Sequence, residues 1–292
     1  MADPIKELLQ IDIDKVLKTR MPTYSKFIPS FLVNKFKGFI HQEEINAILR
    51  SSTERGIKDV KMAQYGLAEM GSKTQAVGLE NIPSEGGAII AANHPLGGLD
   101  GLAVIAEGGK IRPDVKFIVN DILMNVPNFE GVFVGVNKLA TNVKSVLALI
   151  EQTYANKSLV FIFPAGLCSR KQDDGSILDL EWQKSFISRS VKYQLPIIPT
   201  YVKGENSKRF YNIARWRKKL NIKLNLEMMT LPDEMFKQAG NTISITFGKP
   251  IPPSTFDKRF NPKQWAQHMK MFVYELNANP NADFETFLSN KI

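Results

Sequence analysis

One cysteine, Cys168, stands in 292 residues, so no internal disulfide can staple this chain, and a reducing compartment or one indifferent to redox state is the expected setting. Histidine is almost as scarce. His41, His94 and His268 lie far apart and, with the lone thiol, give no metal-ligand spacing, so no metal is expected. The sequence contains no Walker A run and no G-x-G-x-x-G, which leaves a nucleotide enzyme without support. It also lacks the G-x-S-x-G elbow that presents a serine nucleophile. The longest apolar runs, 87–92 and 159–163, fall far short of the ~20 residues that span a bilayer. The opening MADPIKELLQIDID has neither the basic region nor the apolar core of a secretory signal, and a cytoplasmic location follows as an expectation. No low-complexity tract or internal repeat is present.

What is there is the composition of a globular protein: 43% hydrophobic, 10% aromatic and 23% charged residues. Thirty-eight Lys and Arg against 29 Asp and Glu leave a formal charge of +9, which favours anionic partners such as phospholipid head groups, acidic carrier proteins or nucleic acid. No nucleic-acid-binding module accompanies the charge, so nucleic acid is not expected as a partner.

Two regimes of patterning divide the chain near residue 73. Residues 1–73 read as a helical extension, with helices expected over 4–18, 29–40, 43–51 and 57–70. Residues 74–292 alternate short β-branched runs (88–92, 115–119, 132–136, 159–163, 197–202, 243–247) with helical stretches (99–107, 142–154, 180–193, 207–220, 262–276). The expected fold is therefore α/β, a mixed and largely parallel central sheet flanked by helices.

Two basic amphipathic stretches stand out. In KFIPSFLVNKFKGFI, Phe27, Ile28, Phe31, Leu32, Phe36, Phe39 and Ile40 approach one helical stripe with Lys26, Lys35 and Lys37 alongside. Such a stripe packs on a protein's own core in most helices, and it equally suits an anionic membrane interface. The segment KGENSKRFYNIARWRKKLNIK collects eight basic residues against Glu205 alone, with Phe210, Tyr211 and Trp216 interleaved. A solvated helix face and an interfacial or carrier-docking surface both fit it.

Chemistry concentrates in GGAIIAANHPLGGLDGLAVIAEGG, residues 86–109. An apolar strand ends at Asn93 and His94, Pro95 with Gly97 and Gly98 force a turn, and a helix follows near Asp100. His94 is thereby placed at the carboxyl end of a strand, the edge where open α/β sheets bind ligands. A neutral imidazole can take a proton from a hydroxyl while a carboxylate on its other nitrogen fixes the tautomer and stabilises the imidazolium. Strand and helix capping would also account for both residue types.

N-H-P-L-G-G-L-D resembles the Asn-His plus downstream Asp signature of the lysophospholipid acyltransferase family, the glycerophosphate acyltransferase-like enzymes, although His and Asp here are H-x5-D rather than H-x4-D. FEGVFVGVNK (129–138) resembles that family's second block but has Asn137 and Lys138 where an arginine is usual. FIFPAGLCSR (161–170) resembles the third block, F-P-E-G-T-R-S, with Ala165 for the glutamate, Cys168 at the arginine position and Arg170 two places later. LPIIPTYVKG (195–204) resembles the fourth. The spellings are most similar to a bacterial, hemolysin-like branch that includes O-acyltransferases of ornithine and glycine lipids. The resemblance implies an O-acyltransferase of membrane lipid synthesis, moving a fatty acyl group from acyl-carrier protein or acyl-CoA to a lysophospholipid or acyl-amino-acid hydroxyl. The protein would then be peripheral on the inner face of the cell membrane, with no further cofactor.

On this basis His94 is the expected general base and Asp100 its orienting carboxylate. Asn93, Gly97 and Gly98 shape the turn and could offer backbone N–H groups to an oxyanion. Lys138, Gly166, Ser169 and Arg170 are expected near the acceptor. Cys168 is read as a structural or pocket-lining residue, since no histidine is near it in sequence. The alternative is a catalytically weak lipid- or membrane-binding protein of the same fold, which the altered second and third blocks would suit.

Overall fold

The computed structural model describes residues 29–119, 123–135, 143–223 and 225–291, with Asp12, Asp14 and Lys18 besides. The expected helix over 4–18, the residues Lys26, Phe27 and Ile28, and the pair Asn137 and Lys138 lie outside the described residues.

Three helices come first: α1 (Ser30–Phe39), α2 (Gln42–Glu54) and α3 (Asp59–Glu69). The stripe of α1 is only partly packed: Val33 and Ile40 are buried, whereas Phe31 and Leu32 are exposed. The α/β part follows as β1 (Lys73–Val77), β2 (Ala88–Ala92), α4 (Gly98–Gly108), β3 (Val115–Val119), β4 (Phe133–Gly135), α5 (Val143–Ala155) and β5 (Leu159–Ile162). A small hairpin, β6 (Arg170–Lys171) with β7 (Ile177–Leu178), precedes α6 (Ser185–Tyr193), β8 (Ile197–Lys203), α7 (Lys208–Lys219), α8 (Leu231–Phe236), β9 (Thr242–Phe247), α9 (Pro262–Glu275) and α10 (Phe284–Lys291).

The seven-stranded sheet has the order β1-β9-β8-β2-β5-β3-β4. Strands β8, β2, β5, β3 and β4 are mutually parallel; β9 runs antiparallel to β8, and β1 pairs parallel with β9. The sheet is thus mixed and largely parallel, as the alternation of runs implies. β2 lies between β5 and β8, and its run Ala-Ile-Ile-Ala-Ala is wholly buried because helices cover both faces. Its alternate residues serve two cores. Ala88, Ile90 and Ala92 join α2, α3 and α4 through Leu49, Met62, Leu67, Leu99 and Ile105. Ile89 and Ala91 join α5, α6 and α9 through Ile150, Phe186, Trp265 and Phe272.

Two glycines bring α4 down onto the sheet. A Cβ at Gly101 would stand 2.9 Å from the Phe117 ring and one at Gly108 2.6 Å from Phe161, so these two positions, seven residues apart, must stay bare. This close seat fixes where the first turn of α4, with Asp100, meets the end of β2.

The helix expected over 180–193 starts only at Ser185. Its first residues find their hydrogen bonds elsewhere: Trp182 N–H donates to Gln267 Oε1 at 3.3 Å, Gln267 Nε2 returns a bond to Trp182 O at 2.8 Å, and Gln183 N–H donates to Pro164 O at 3.0 Å. Backbone groups so satisfied need no helical partner.

Candidate active site

At the carboxyl ends of β2, β5 and β8 three loops converge. The turn after β2 carries His94, the segment after β5 carries Phe163 to Arg170, and Asn206 after β8 donates from Nδ2 to Pro95 O at 2.9 Å. A Cβ at Gly204 would meet Leu96 at 2.7 Å, so that loop too approaches the His94 turn backbone-first.

His94 Nδ1 and Asp100 Oδ2 are 2.9 Å apart. The same oxygen accepts from Leu96 N–H at 2.8 Å and Gly97 N–H at 3.1 Å. Asp100 therefore caps the amino end of α4 and holds the imidazole at once, so the capping and the orienting readings describe one side chain. Gly97 has φ 76 and ψ −129, a conformation open to glycine and strained for other residues, and it is this kink that brings both N–H groups onto the carboxylate. Asp100 is fully buried and its Oδ1 has no hydrogen-bond partner, while the His94 side chain keeps 15% of its surface exposed. The imidazole is held from inside and reachable from outside.

The ring plane of His94 is set by Phe163, stacked at 4.1 Å and 16°, which Phe117 supports edge-on at 5.3 Å. The Cys168 side chain also lies close to the imidazole. Burial disfavours the protonated ring, but Cys168 and the Asp100 carboxylate outweigh it and hold His94 well above the ordinary imidazole value. Burial also lifts Asp100 above the usual carboxylate value; the bonds from His94 and Leu96 oppose this, and the nearby Asp179 carboxylate adds to it.

Asp179 is the group that sequence reasoning missed. Buried at 2% exposure, it accepts on Oδ1 from His94 N–H at 3.1 Å and Ser169 Oγ at 2.6 Å, and on Oδ2 from Trp182 Nε1 at 2.8 Å. Its own N–H donates to the Tyr274 hydroxyl at 2.8 Å, and Lys270 Nζ donates to its carbonyl at 2.5 Å. One carboxylate thus ties the His94 turn, the third-block segment and α9 together. It ends a polar run, 173–179, that gives no local sign of this, because its partner in the turn is 85 residues away.

The other expected site residues fall into distinct places. Asn93 spends its side chain on β8: Nδ2 donates to Val202 O at 2.9 Å and Oδ1 accepts from Val202 N–H at 2.6 Å, continuing the β2–β8 ladder. The Gly97 N–H is taken by Asp100, whereas Gly98 opens α4 as the first of its donors without an intrahelical partner. Ser169 is buried, its hydroxyl on Asp179 and its N–H on His94 O at 2.8 Å. Gly166, at φ +68, forms an exposed turn in which its N–H donates to Phe163 O at 3.0 Å, with open space where a Cβ would be. Arg170 turns away from His94: it donates to Cys168 O at 2.5 Å and to the buried Glu227 at 2.8 Å, and lies over the Phe210 ring at 5.2 Å. Arg217 donates to the other oxygen of Glu227 at 2.8 Å. The structure accordingly brings together His94, Asp100, Gly97, Gly98 and Ser169, and sets Asn93 and Arg170 into supporting bonds.

A general base oriented by a carboxylate, at a helix amino terminus on a sheet edge, can activate a hydroxyl for attack on an acyl group. The family model for acyltransferases matches residues 15–270. The chain belongs to the acyltransferase family. This acyltransferase is similar to the lyso-glycine lipid O-acyltransferase of Bacteroides thetaiotaomicron, with 41% identity over 270 residues that cover 92% of this chain and 98% of the relative. It is similar too to the lyso-glycine lipid O-acyltransferase of Phocaeicola vulgatus, with 40% identity over 267 residues, 91% of this chain and 95% of the relative. Among solved structures, the 1-acyl-sn-glycerophosphate (LPA) acyltransferase PlsC of Thermotoga maritima aligns over 91% of the acyltransferase and 99% of its own chain, at 17% identity and a TM-score of 0.48. No helix among the described residues is long and apolar enough to cross a membrane.

Proposed function

We propose that this acyltransferase moves a fatty acyl group from a carrier thioester, acyl-carrier protein or acyl-CoA, to the hydroxyl of a lyso-glycine lipid in membrane lipid synthesis. The reading rests on near-full-length similarity to two enzymes named for that acceptor, and on the His94–Asp100 contact of 2.9 Å, which carries the chemistry. His94 accepts the proton of the acceptor hydroxyl as its oxygen attacks the thioester carbonyl. Asp100 keeps the proton-bearing Nδ1 turned inward and stabilises the imidazolium that forms. The first N–H groups of α4, beginning with Gly98, face the charge developing on the carbonyl oxygen, where one placed donor contributes roughly 3 kcal/mol. Collapse of the tetrahedral intermediate expels the carrier thiolate, which takes the proton back from His94. No acyl-enzyme is needed.

The acceptor head group is a single carboxylate rather than a phosphate. Arg170 and Arg217, the cations beside the third-block segment, are both paired on Glu227, which leaves little charge there for a dianion. Gly166, with open space around it, lets the acceptor approach its loop. The protein works at the cytoplasmic face of an anionic membrane, the region up to residue 73 contributing to that contact and 74–292 forming the catalytic domain. The purified protein, given acyl-carrier protein or acyl-CoA, should acylate lyso-glycine lipid and leave lysophosphatidic acid largely untouched. Robust and exclusive acylation of lysophosphatidic acid would remove the acceptor assignment.

A further inference from the structure

Helix α7 has an inner and an outer half. Its inner face, Phe210, Tyr211 and Ala214, is buried on the third-block segment, where Phe210 and Tyr211 pack with Cys168. Ser207 caps its start by accepting from Phe210 N–H, and Arg217 is drawn inward to Glu227. The outer half exposes Trp216 at 58%, Leu220 at 64% and, just past the helix, Ile222 at 37%. Trp216 and Leu220 are four residues apart and share one stripe; Arg215 and Lys219, also four apart, form the stripe beside it. Lys219 Nζ stands 5.2 Å from the centre of the Trp216 ring, and among the described residues Arg215, Lys218 and Lys223 make no ion pair. No acidic residue occurs between Lys208 and Lys223.

We propose that the exposed end of α7, Trp216, Leu220 and Ile222 ringed by Arg215, Lys218, Lys219 and Lys223, is the surface by which this acyltransferase docks on an anionic lipid bilayer. The inference deepens the membrane contact of the proposed function and rests on it. Two independent features point to lipid as the occupant. Unpaired cations complement anionic head groups, and a tryptophan beside two large aliphatic side chains suits the head-group boundary, where an indole can bury its ring and keep its N–H wet. An acidic carrier protein would be met by the cations alone and gives no use for three exposed apolar side chains. The placement is also apt: the inner face of the same helix covers Cys168, which lies close to His94, so docking brings the catalytic edge to the layer in which the acceptor's chains reside.

Of the three tryptophans, Trp182 and Trp265 are buried at 0% and 1%, so a change in intrinsic fluorescence on adding lipid reports on Trp216. Full-length protein mixed with vesicles of phosphatidylcholine plus phosphatidylglycerol should show a blue shift and quenching by lipids brominated on the acyl chain. Trp216→Phe should abolish both. The double variant K218E/K223E should bind these vesicles at least about tenfold more weakly in co-sedimentation, given the contribution of each basic residue near an anionic surface. It should keep its turnover on acceptor dispersed in detergent. Wild-type protein that ignores these vesicles would overturn the membrane reading itself. Wild-type binding matched by the variants would overturn only the assignment to α7. Variants that bind vesicles normally but lose turnover with acyl-carrier protein, and not with acyl-CoA, would overturn it in favour of a carrier dock.

Discussion

Asp100→Asn separates the chemical role of the carboxylate from its role in the fold, because the two oxygens of Asp100 have unlike surroundings. Oδ2 receives all three donors, His94 Nδ1 and the Leu96 and Gly97 N–H groups, while Oδ1 is buried with no partner. An asparagine can put its oxygen where Oδ2 stands and its amide nitrogen where Oδ1 stands, so no donor is turned against a donor. The turn and the amino end of α4 should survive, at a stability cost of about 1–3 kcal/mol for uncharged acceptance and for an amide nitrogen buried at the partnerless Oδ1 position. What disappears is the negative charge that stabilises the imidazolium. Loss of that charge from the pair should lower turnover by about 10^2–10^4, roughly 3–5 kcal/mol of transition-state stabilisation.

A second signature is the direction of a titration. Asp100 and Cys168 hold the His94 pKa above the ordinary value despite burial, and the base must be neutral to act. Wild-type kcat/KM should therefore rise with pH through an inflection above the usual imidazole range. In Asp100→Asn, with burial less opposed, that inflection should move to lower pH. The assay is initial-rate acylation of a hydroxyl acceptor across pH, beside a thermal melt of the same preparation. A well-folded Asn variant within about tenfold of wild-type turnover, with its pH profile unmoved, would refute the assignment of Asp100.

Asp179→Asn should behave oppositely, since both its oxygens accept and an amide nitrogen must face either Trp182 Nε1 or the His94 N–H and Ser169 hydroxyl. A loss of about 1–3 kcal/mol in a thermal or denaturant melt is expected, together with lower kcat. Gly97→Ala forces a side chain into φ 76, ψ −129 and brings its Cβ to 3.0 Å from Leu231, so about 1–3 kcal/mol of strain falls on the turn that seats His94. Turnover should drop at least about tenfold, measured with the acceptor that the wild type uses.

The sequence was most informative where structure is local. The runs over 88–92 and 115–119 coincide with β2 and β3: β2 is covered on both faces and continuously apolar, and in β3 the buried Val115, Phe117 and Val119 alternate with the half-buried Lys116 and Ile118. β1, Lys-Thr-Gln-Ala-Val, was not legible in that way: it is an edge strand whose residues alternate between exposed and half-buried, and its partner β9 lies far along the chain. The same division runs through the site. His94 and Asp100 are six residues apart and joined by one turn, so their pairing could be read from Pro95, Gly97 and Gly98. Asp179 reaches His94 across 85 residues, and Glu227 reaches Arg170 across 57, with no periodicity or motif to announce either. For that reason Ser169 and Arg170 were expected at the acceptor, whereas their side chains are engaged by those two buried carboxylates. Cys168, without a histidine near it in sequence, comes to the imidazole through the fold of the third-block segment.

In the proposed reaction one proton must leave the acceptor hydroxyl for His94. Single-turnover acyl transfer to lyso-glycine lipid by purified, folded His94→Ala is the most direct measurement of it. Loss of transfer by three orders of magnitude or more, with an unchanged melt, is the predicted result. Transfer at a near wild-type rate would show that another group removes that proton and would contradict the account.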